Sequence, residues 1–150
     1  MNRMSKAAVV AGVFSTVLIV AGKLSAQPAL EASMYSGTHL ALGETINGEL
    51  LATHPMMEDG SHADCFHLDT VAGEQYSVTL RSTVFDSYLM LGVGDCSDVM
   101  LSLENDDFEE TSLDSRITFT AEHTLYSIFV NSYDPGFTGA FTLHVEQPAE

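Results

Sequence analysis

The chain has 150 residues, 45% of them hydrophobic, and a formal net charge of −16 that comes from 21 acidic against five basic residues. A chain of this length forms one ordinary domain with a core of its own. Its charge excludes the attraction to phosphates on which nucleic-acid binding depends, so we expect no nucleic-acid partner.

The N-terminal residues have the pattern of a secretory signal peptide. Arg3 and Lys6 precede an apolar run over residues 7–22, and the small residue Ala26 marks the predicted cleavage point. The run is shorter than the roughly 20 residues that a spanning helix needs, although a retained anchor is the alternative. We therefore expect residues 1–26 to be removed, giving a secreted or periplasmic protein with no stable membrane insertion after cleavage.

The predicted mature chain is more acidic than the whole. Residues 27–43 show no periodicity and form a leader into a domain over residues 44–147. After cleavage, Arg81 and Arg116 are the only Lys or Arg residues left against all 21 acidic residues. Such a surface keeps a protein soluble, and it also attracts cations and basic partners.

Short apolar–polar alternations begin at Thr45 and are separated by turn residues. Strands are predicted over residues 45–50, 64–69 and 74–81, with a loop rich in turn formers over residues 54–62. The connection Ala72-Gly73-Glu74 is short, and it therefore predicts that the second and third strands pair as a hairpin.

The stretch from Phe85 to Asp114 predicts two further strands joined by a turn that carries Cys96. Alternation assigns one face of each strand to apolar residues, namely Phe85, Leu89, Leu91 and Val93 in the first and Val99, Leu101 and Leu103 in the second. Strands over residues 115–120, 125–131 and 138–146 complete the set. About eight short strands without a helix predict an all-β protein, an antiparallel β-sandwich.

Two cysteines, Cys65 and Cys96, are expected to meet an oxidising compartment. A single disulfide is the simplest account of them. It would close a loop of 32 residues, worth about 3–4 kcal/mol in the chain-entropy model. Two thiols on separate strands are the alternative.

The order of motifs from Asp64 onward resembles the bacterial pre-peptidase C-terminal domain. The motifs that carry the resemblance are ADCFHLDTVAGEQYSVTL, FDSYLML, LENDD, LDSRITFTA, LYSIFVNSY and GAFTLHV, with Phe141 at a common tyrosine position. The resemblance implies a jelly-roll-like β-sandwich that accompanies the catalytic domain of secreted peptidases. Related domains in collagenases bind substrate and calcium. Because the predicted leader is too short to hold a peptidase, we expect this module to act alone.

Calcium is the one cofactor that the residues favour. The predicted ligands are Asp86, Asn105, Asp106, Asp107 and Asp114, with Glu109 and Glu110 nearby. Calcium takes six to eight oxygen ligands, and clustered carboxylates repel one another unless something neutralises them. The alternative is an acidic turn whose side chains bond local backbone amides.

Three aromatic residues are predicted to form a binding surface. Tyr88 lies opposite the inward face of its strand, and Tyr133 and Phe137 flank a turn; Phe129 also has outward parity. Together they could form a ligand platform. The alternative is that several of them are buried, because sandwich edges curl.

Catalytic motifs are missing from the sequence. No Gly-x-Ser-x-Gly motif occurs, and the spacing of His54, His62 and His67 is not typical of zinc sites. We therefore expect a non-catalytic module that binds a protein or a cell-surface polymer, or that assists export. The alternative is a regulatory partner, inhibitor or chaperone, of a separately encoded secreted peptidase.

Overall fold

A computed structural model describes residues 35–109 and 112–149, and these residues form nine β-strands. The predicted signal peptide and most of the predicted leader lie outside them. In this part of the chain, no helix is long and apolar enough to cross a membrane. The strands are β1 (Thr38–His39), β2 (Thr45–Leu50), β3 (Ala63–Asp69), β4 (Gln75–Arg81), β5 (Ser87–Asp95), β6 (Asp98–Asn105), β7 (Ser115–Thr120), β8 (Leu125–Ser132) and β9 (Gly139–Glu146).

The strands form two sheets whose inner faces enclose the main core. The five-stranded sheet has the order β1-β3-β8-β5-β6, and the four-stranded sheet has the order β2-β9-β4-β7. All neighbours are antiparallel except β1 and β3. The all-β sandwich that the alternation predicted is confirmed.

The core is built by the alternating positions of the strands. Tyr76, Val78 and Leu80 of β4 and Phe141, Leu143 and Val145 of β9 are all buried, as their parity predicts. Burial of one such side chain contributes about 1.5–3 kcal/mol, so this alternation is the main source of sheet stability. Phe66 meets Phe141 edge-on at 6.1 Å between ring centroids, which joins the two sheets.

The predicted hairpin between residues 64–69 and 74–81 is wrong. β3 pairs with β8 in one sheet, whereas β4 pairs with β7 and β9 in the other. The connection between β3 and β4 bonds to the connection between β7 and β8, through Thr70 N to Thr124 O at 3.0 Å and Gly73 N to Ala121 O at 2.8 Å. The β3–β4 connection thus crosses from one sheet to the other beside the β7–β8 connection. A connection of this length can join two sheets as well as two paired strands, so its length does not predict a hairpin.

The predicted single apolar face of β6 is also wrong. The register shifts beside Leu91 and Gly92, so that Leu103 pairs with Leu91 but Leu101 pairs with Gly92. The extra residue is Ser102, and such a bulge moves the residues on either side of it to opposite faces. β6 is an edge strand, and Met100, Leu101 and Leu103 are exposed there.

β1 lies in the segment for which the sequence predicted no strand. It is two residues long and pairs in parallel with Phe66 and His67 of β3. Leu40, which follows it, is buried in the main core. A strand this short has no alternation to detect, and its position depends on β3.

Candidate functional site

The Cys65–Cys96 disulfide is confirmed, with 6.0 Å between the Cα atoms. It joins β3 to the turn after β5 on the outer face of the five-stranded sheet. There the cystine packs in a second apolar cluster with Ala63, Met90 and Phe129. The backbone N–H of Cys96 donates to Nε2 of His67 on β3 at 3.2 Å. The disulfide and this hydrogen bond together hold the β5–β6 turn against β3.

Phe129 has the outward parity that alternation predicts, yet it is buried. The second cluster is covered by Met57 from the loop before β3 and by Tyr35, whose ring meets Phe129 edge-on at 5.3 Å. Phe129 therefore belongs to a structural cluster and not to a ligand platform. This is the outcome that the buried-aromatic alternative described.

Of the four predicted calcium ligands between β6 and β7, three bond through their side chains, namely Asn105, Asp106 and Asp114, whereas among the described residues Asp107 bonds only through its backbone. Asn105 donates to Asp107 O at 3.1 Å and accepts from Arg116 N at 2.9 Å, while Asp106 Oδ1 accepts from Asp107 N at 3.0 Å. Asp114 pairs with Arg81 Nε at 3.0 Å. The backbone bonds are those of a self-capped acidic turn, which was the alternative to a cation site.

Asp86 differs from the other predicted ligands because one of its carboxylate oxygens is buried. Its Oδ1 is buried without a hydrogen bond among the described residues. Burial raises the pKa of Asp86, and the charges of Asp107, Asp106 and Asp134 raise it further. Within residues 35–109 and 112–149, no three His, Cys, Asp or Glu side chains are grouped to hold a metal ion, so calcium binding stays a prediction.

The predicted aromatic residues lie at the same end of the sandwich as Asp86. Tyr88 meets Tyr133 edge-on at 6.1 Å between centroids. Phe137 lines a cavity of about 160 Å³ together with Asp86 and Asp134. We call this region the aromatic–acidic surface and define it by Val84, Asp86, Leu113, Tyr133, Asp134 and Phe137.

Tyr88 contributes to this region from a half-buried position. Burial and a hydrogen bond to Glu104 raise the pKa of its phenol to about 12. It stays protonated at any physiological pH and holds the ring of Tyr133 beside it. Four apolar members of the surface, Val84, Leu113, Tyr133 and Phe137, each expose about half of their area.

A second polar surface, not predicted from the sequence, covers the outer face of the four-stranded sheet. Cross-strand pairing places Thr45, His144, Thr79 and Arg116 in one row across β2, β9, β4 and β7. Asn47, Thr142 and Arg81 form the adjacent row. We call these seven residues the arginine face. Arg81 and Arg116 are the only Lys or Arg among the described residues.

Two adjoining cavities lie on the arginine face. One of about 280 Å³ is lined by both arginines, His144 and three threonines, with Glu146 at its edge. The other, of about 540 Å³, shares Arg81 and Thr142 with the first. The larger cavity is within the size range of small-molecule sites, roughly 300–1,000 Å³, and combines apolar lining from Ala140 and Phe141 with polar groups.

The arginine face also contains the one side-chain contact between a hydroxyl and an imidazole in the described residues. Thr45 Oγ1 lies 2.9 Å from His144 Nδ1, which lies 2.8 Å from the carbonyl oxygen of Glu44. A carbonyl can only accept, so Nδ1 carries the hydrogen and cannot take a proton from Thr45. The contact therefore lacks the geometry of an activated nucleophile.

Comparison with known proteins gives a fold but no close relative. No family model matches the chain, and no curated protein matches it. Among solved structures, the pre-peptidase C-terminal domain of a collagenase from Bacillus anthracis is 18% identical. It covers 74% of this chain and 95% of its own, with a TM-score of 0.53.

Two further solved structures are similar. CorA, a surface-associated copper-binding protein of Methylomicrobium album BG8, is 9% identical with a TM-score of 0.55 and covers 76% of this chain and 98% of its own. PliG, a periplasmic inhibitor of g-type lysozyme from Aeromonas hydrophila, is 13% identical and covers 72% and 92%, but its TM-score of 0.49 is too low to support a conclusion. The first of the three similarities confirms the fold that the sequence resemblance implied.

Proposed function

We propose that this protein is a secreted or periplasmic, non-catalytic module that binds another protein through the aromatic–acidic surface. The observation that carries the proposal is the combination of exposed apolar side chains with the Asp86 carboxylate, whose Oδ1 is buried without a hydrogen bond among the described residues. Val84, Leu113 and Phe137 line the cavity that contains Asp86, and each exposes about half of its area. Tyr133, which is equally exposed, adjoins them through its backbone N–H, which donates to Asp86 O at 2.9 Å. An apolar surface with such a carboxylate suits a partner that presents an apolar side chain next to a Lys or Arg.

The charge of the protein supports the same kind of partner. Asp134, Asp106 and Asp107 all act on Asp86 and add to the negative field there. Such a field attracts basic segments of a partner and raises the rate of encounter. Two structural neighbours, a collagenase accessory domain and a surface-associated protein, share this fold and are consistent with a module that works outside the cytoplasm.

The test is recovery of a partner by the immobilised protein from the culture medium, followed by titration of the purified partner. A Tyr133→Ser/Phe137→Ser variant removes two of the exposed rings, and we expect it to lose most of the binding. The matched control is Val71→Ser, because Val71 is also exposed but lies outside the aromatic–acidic surface. The control should bind as the original protein does.

The recovered partner also decides between the remaining roles. A secreted peptidase, with its activity altered on binding, would support the regulatory alternative. A cell-surface polymer retained equally by both variants would contradict the proposal, as would a protein partner that the Tyr133→Ser/Phe137→Ser variant still binds with unchanged affinity.

A further inference from the structure

The positive charge of the described residues is concentrated on one face of the protein. Both arginines of the described residues line one cavity of about 280 Å³ on the arginine face. We propose that the arginine face is a binding site for an acidic polysaccharide whose carboxylates are separated by uncharged sugars. The site is separate from the aromatic–acidic surface and does not depend on the function proposed for it.

The first support is that, within residues 35–109 and 112–149, Arg116 has no carboxylate partner although the chain has 21 acidic residues. The ion pairs of the described residues include Arg81 with Asp114 but none with Arg116. Arg116 is instead held in place by neutral groups: its Nε donates to Thr79 Oγ1 at 2.9 Å, and its guanidinium lies 3.8 Å above the Phe108 ring. These contacts orient the guanidinium without neutralising it.

The second support is the set of donors that remain. Arg81 and Arg116 each bond through Nε, so among the described residues the two terminal nitrogens of each make no hydrogen bond. A pair of such nitrogens matches the two oxygens of a carboxylate. Diagonal neighbours on adjacent strands lie about 7–8 Å apart, so one ligand can reach both arginines.

The third support is the rest of the lining. In the smaller cavity, every other lining residue carries a hydroxyl, an imidazole or a carboxylate: Thr45, Thr79, Thr142, His144 and Glu146. The adjoining cavity continues past Arg81 and Thr142 toward Asn47 and Ser82. Gly48, Ala140 and Phe141 give the adjoining cavity an apolar floor beside these polar groups. Hydrogen-bonding side chains next to a small apolar patch are complementary to a sugar ring, which has hydroxyl groups at its edge and C–H groups on its faces.

Two other anionic polymers fit less well. A densely charged polymer, such as polyphosphate or nucleic acid, is repelled by a protein with a net charge of −16. An acidic peptide gains most of its affinity from apolar anchors, and the smaller cavity has no apolar side chain to receive them. A polysaccharide with sparse carboxylates has a lower charge density, so the net negative charge repels it less than it repels a phosphate polymer. Its binding also does not depend on large apolar anchors.

The test is calorimetric titration of the purified protein with hyaluronan oligosaccharides, which carry one carboxylate per disaccharide. We expect Arg116→Gln and Arg81→Gln each to weaken binding about 10-fold or more, since each removes a charge-assisted pair of hydrogen bonds. Dextran, which is uncharged, should not bind. Arg116→Lys keeps the charge without the fork of donors and should also weaken binding.

The matched control is Gln75→Glu, which changes the net charge by the same amount. Gln75 is an exposed residue at the start of β4 and lines neither cavity, so affinity should change less than about twofold. Melting temperatures show that each variant is folded, and Arg116→Lys replaces Arg116→Gln if the latter is not. No binding by the folded protein, equal binding by the Arg81→Gln/Arg116→Gln variant, or equally tight arginine-dependent binding of polyglutamate would overturn the proposal.

Discussion

Replacement of both half-cystines by alanine should cost this protein a large part of its stability. Cys65 and Cys96 are 31 positions apart, and opening a loop of that length costs about 3–4 kcal/mol in the chain-entropy model. For a domain of this size, that corresponds to a melting temperature lower by roughly 10–15 °C. Thermal unfolding followed by circular dichroism gives both quantities if the transition is two-state.

A second measurement separates the cross-link from the packing of the sulfur atoms. Both cysteines are buried in the second cluster, so Cys65→Ala/Cys96→Ala also removes two Sγ atoms from it. The original protein measured in a reductant keeps the sulfur atoms and loses only the bond. We expect most of the loss to appear there already. A loss below about 1 kcal/mol on reduction would refute the loop-closure reasoning.

Three further predictions concern single residues and calcium. Gly92→Ala should destabilise by roughly 1–3 kcal/mol in urea unfolding, because its Cβ would lie 2.4 Å from Val99 Cγ2 and 2.7 Å from a backbone oxygen. The raised pKa of Asp86 means that the folded state binds its proton more tightly than the unfolded state, so stability present at low pH is lost as pH rises through the folded pKa. Asp86→Asn should abolish that part of the pH dependence and raise the melting temperature at neutral pH. The calcium hypothesis predicts a calorimetric binding signal. It also predicts that calcium raises the melting temperature and that a chelator returns it to the value without calcium.

Each of these predictions has a clear contrary result. An unchanged urea midpoint for Gly92→Ala would mean that β6 moves away from the new methyl group without a loss in the free energy of unfolding. Asp98 is an exposed carboxylate at the start of β6 with no ion pair among the described residues, and Asp98→Asn is therefore the control for Asp86→Asn. Equal pH profiles for the two variants would show that the burial of Asp86 has no energetic effect. The calcium hypothesis fails if calorimetry gives no signal and melting is indifferent to the chelator.

The sequence predicted local structure well for strands that bury one face and expose the other. The bounds of β2 and β7 and the inward residues of β4 and β9 all follow from alternation of period two. Alternation contains no information on which strand lies beside which, and the hairpin between β3 and β4 was therefore wrong. It also assumes a regular ladder, and it therefore did not predict the bulge at Ser102, which places Leu101 and Leu103 on opposite faces of β6.

The same limit explains which part of the candidate sites was predicted. Asp86, Tyr133 and Phe137 stand out locally, because each is next to a turn or a strand end. The arginine face brings together residues 45–47, 79–81, 116 and 142–144, which are far apart in the chain. A signal was present in the two remaining arginines of a very acidic domain, but only the strand order places them together.

The position of β9 sets the order in which this protein can assemble. β9 is near the C-terminal end of the chain, yet it lies between β2 and β4, and without it β2 has no neighbour in its sheet. A ribosome releases the chain from its N-terminus, so the four-stranded sheet cannot close until residues 139–146 have been synthesised. Until then, β2 has no partner strand, and Phe141, Leu143 and Val145 are missing from the main core.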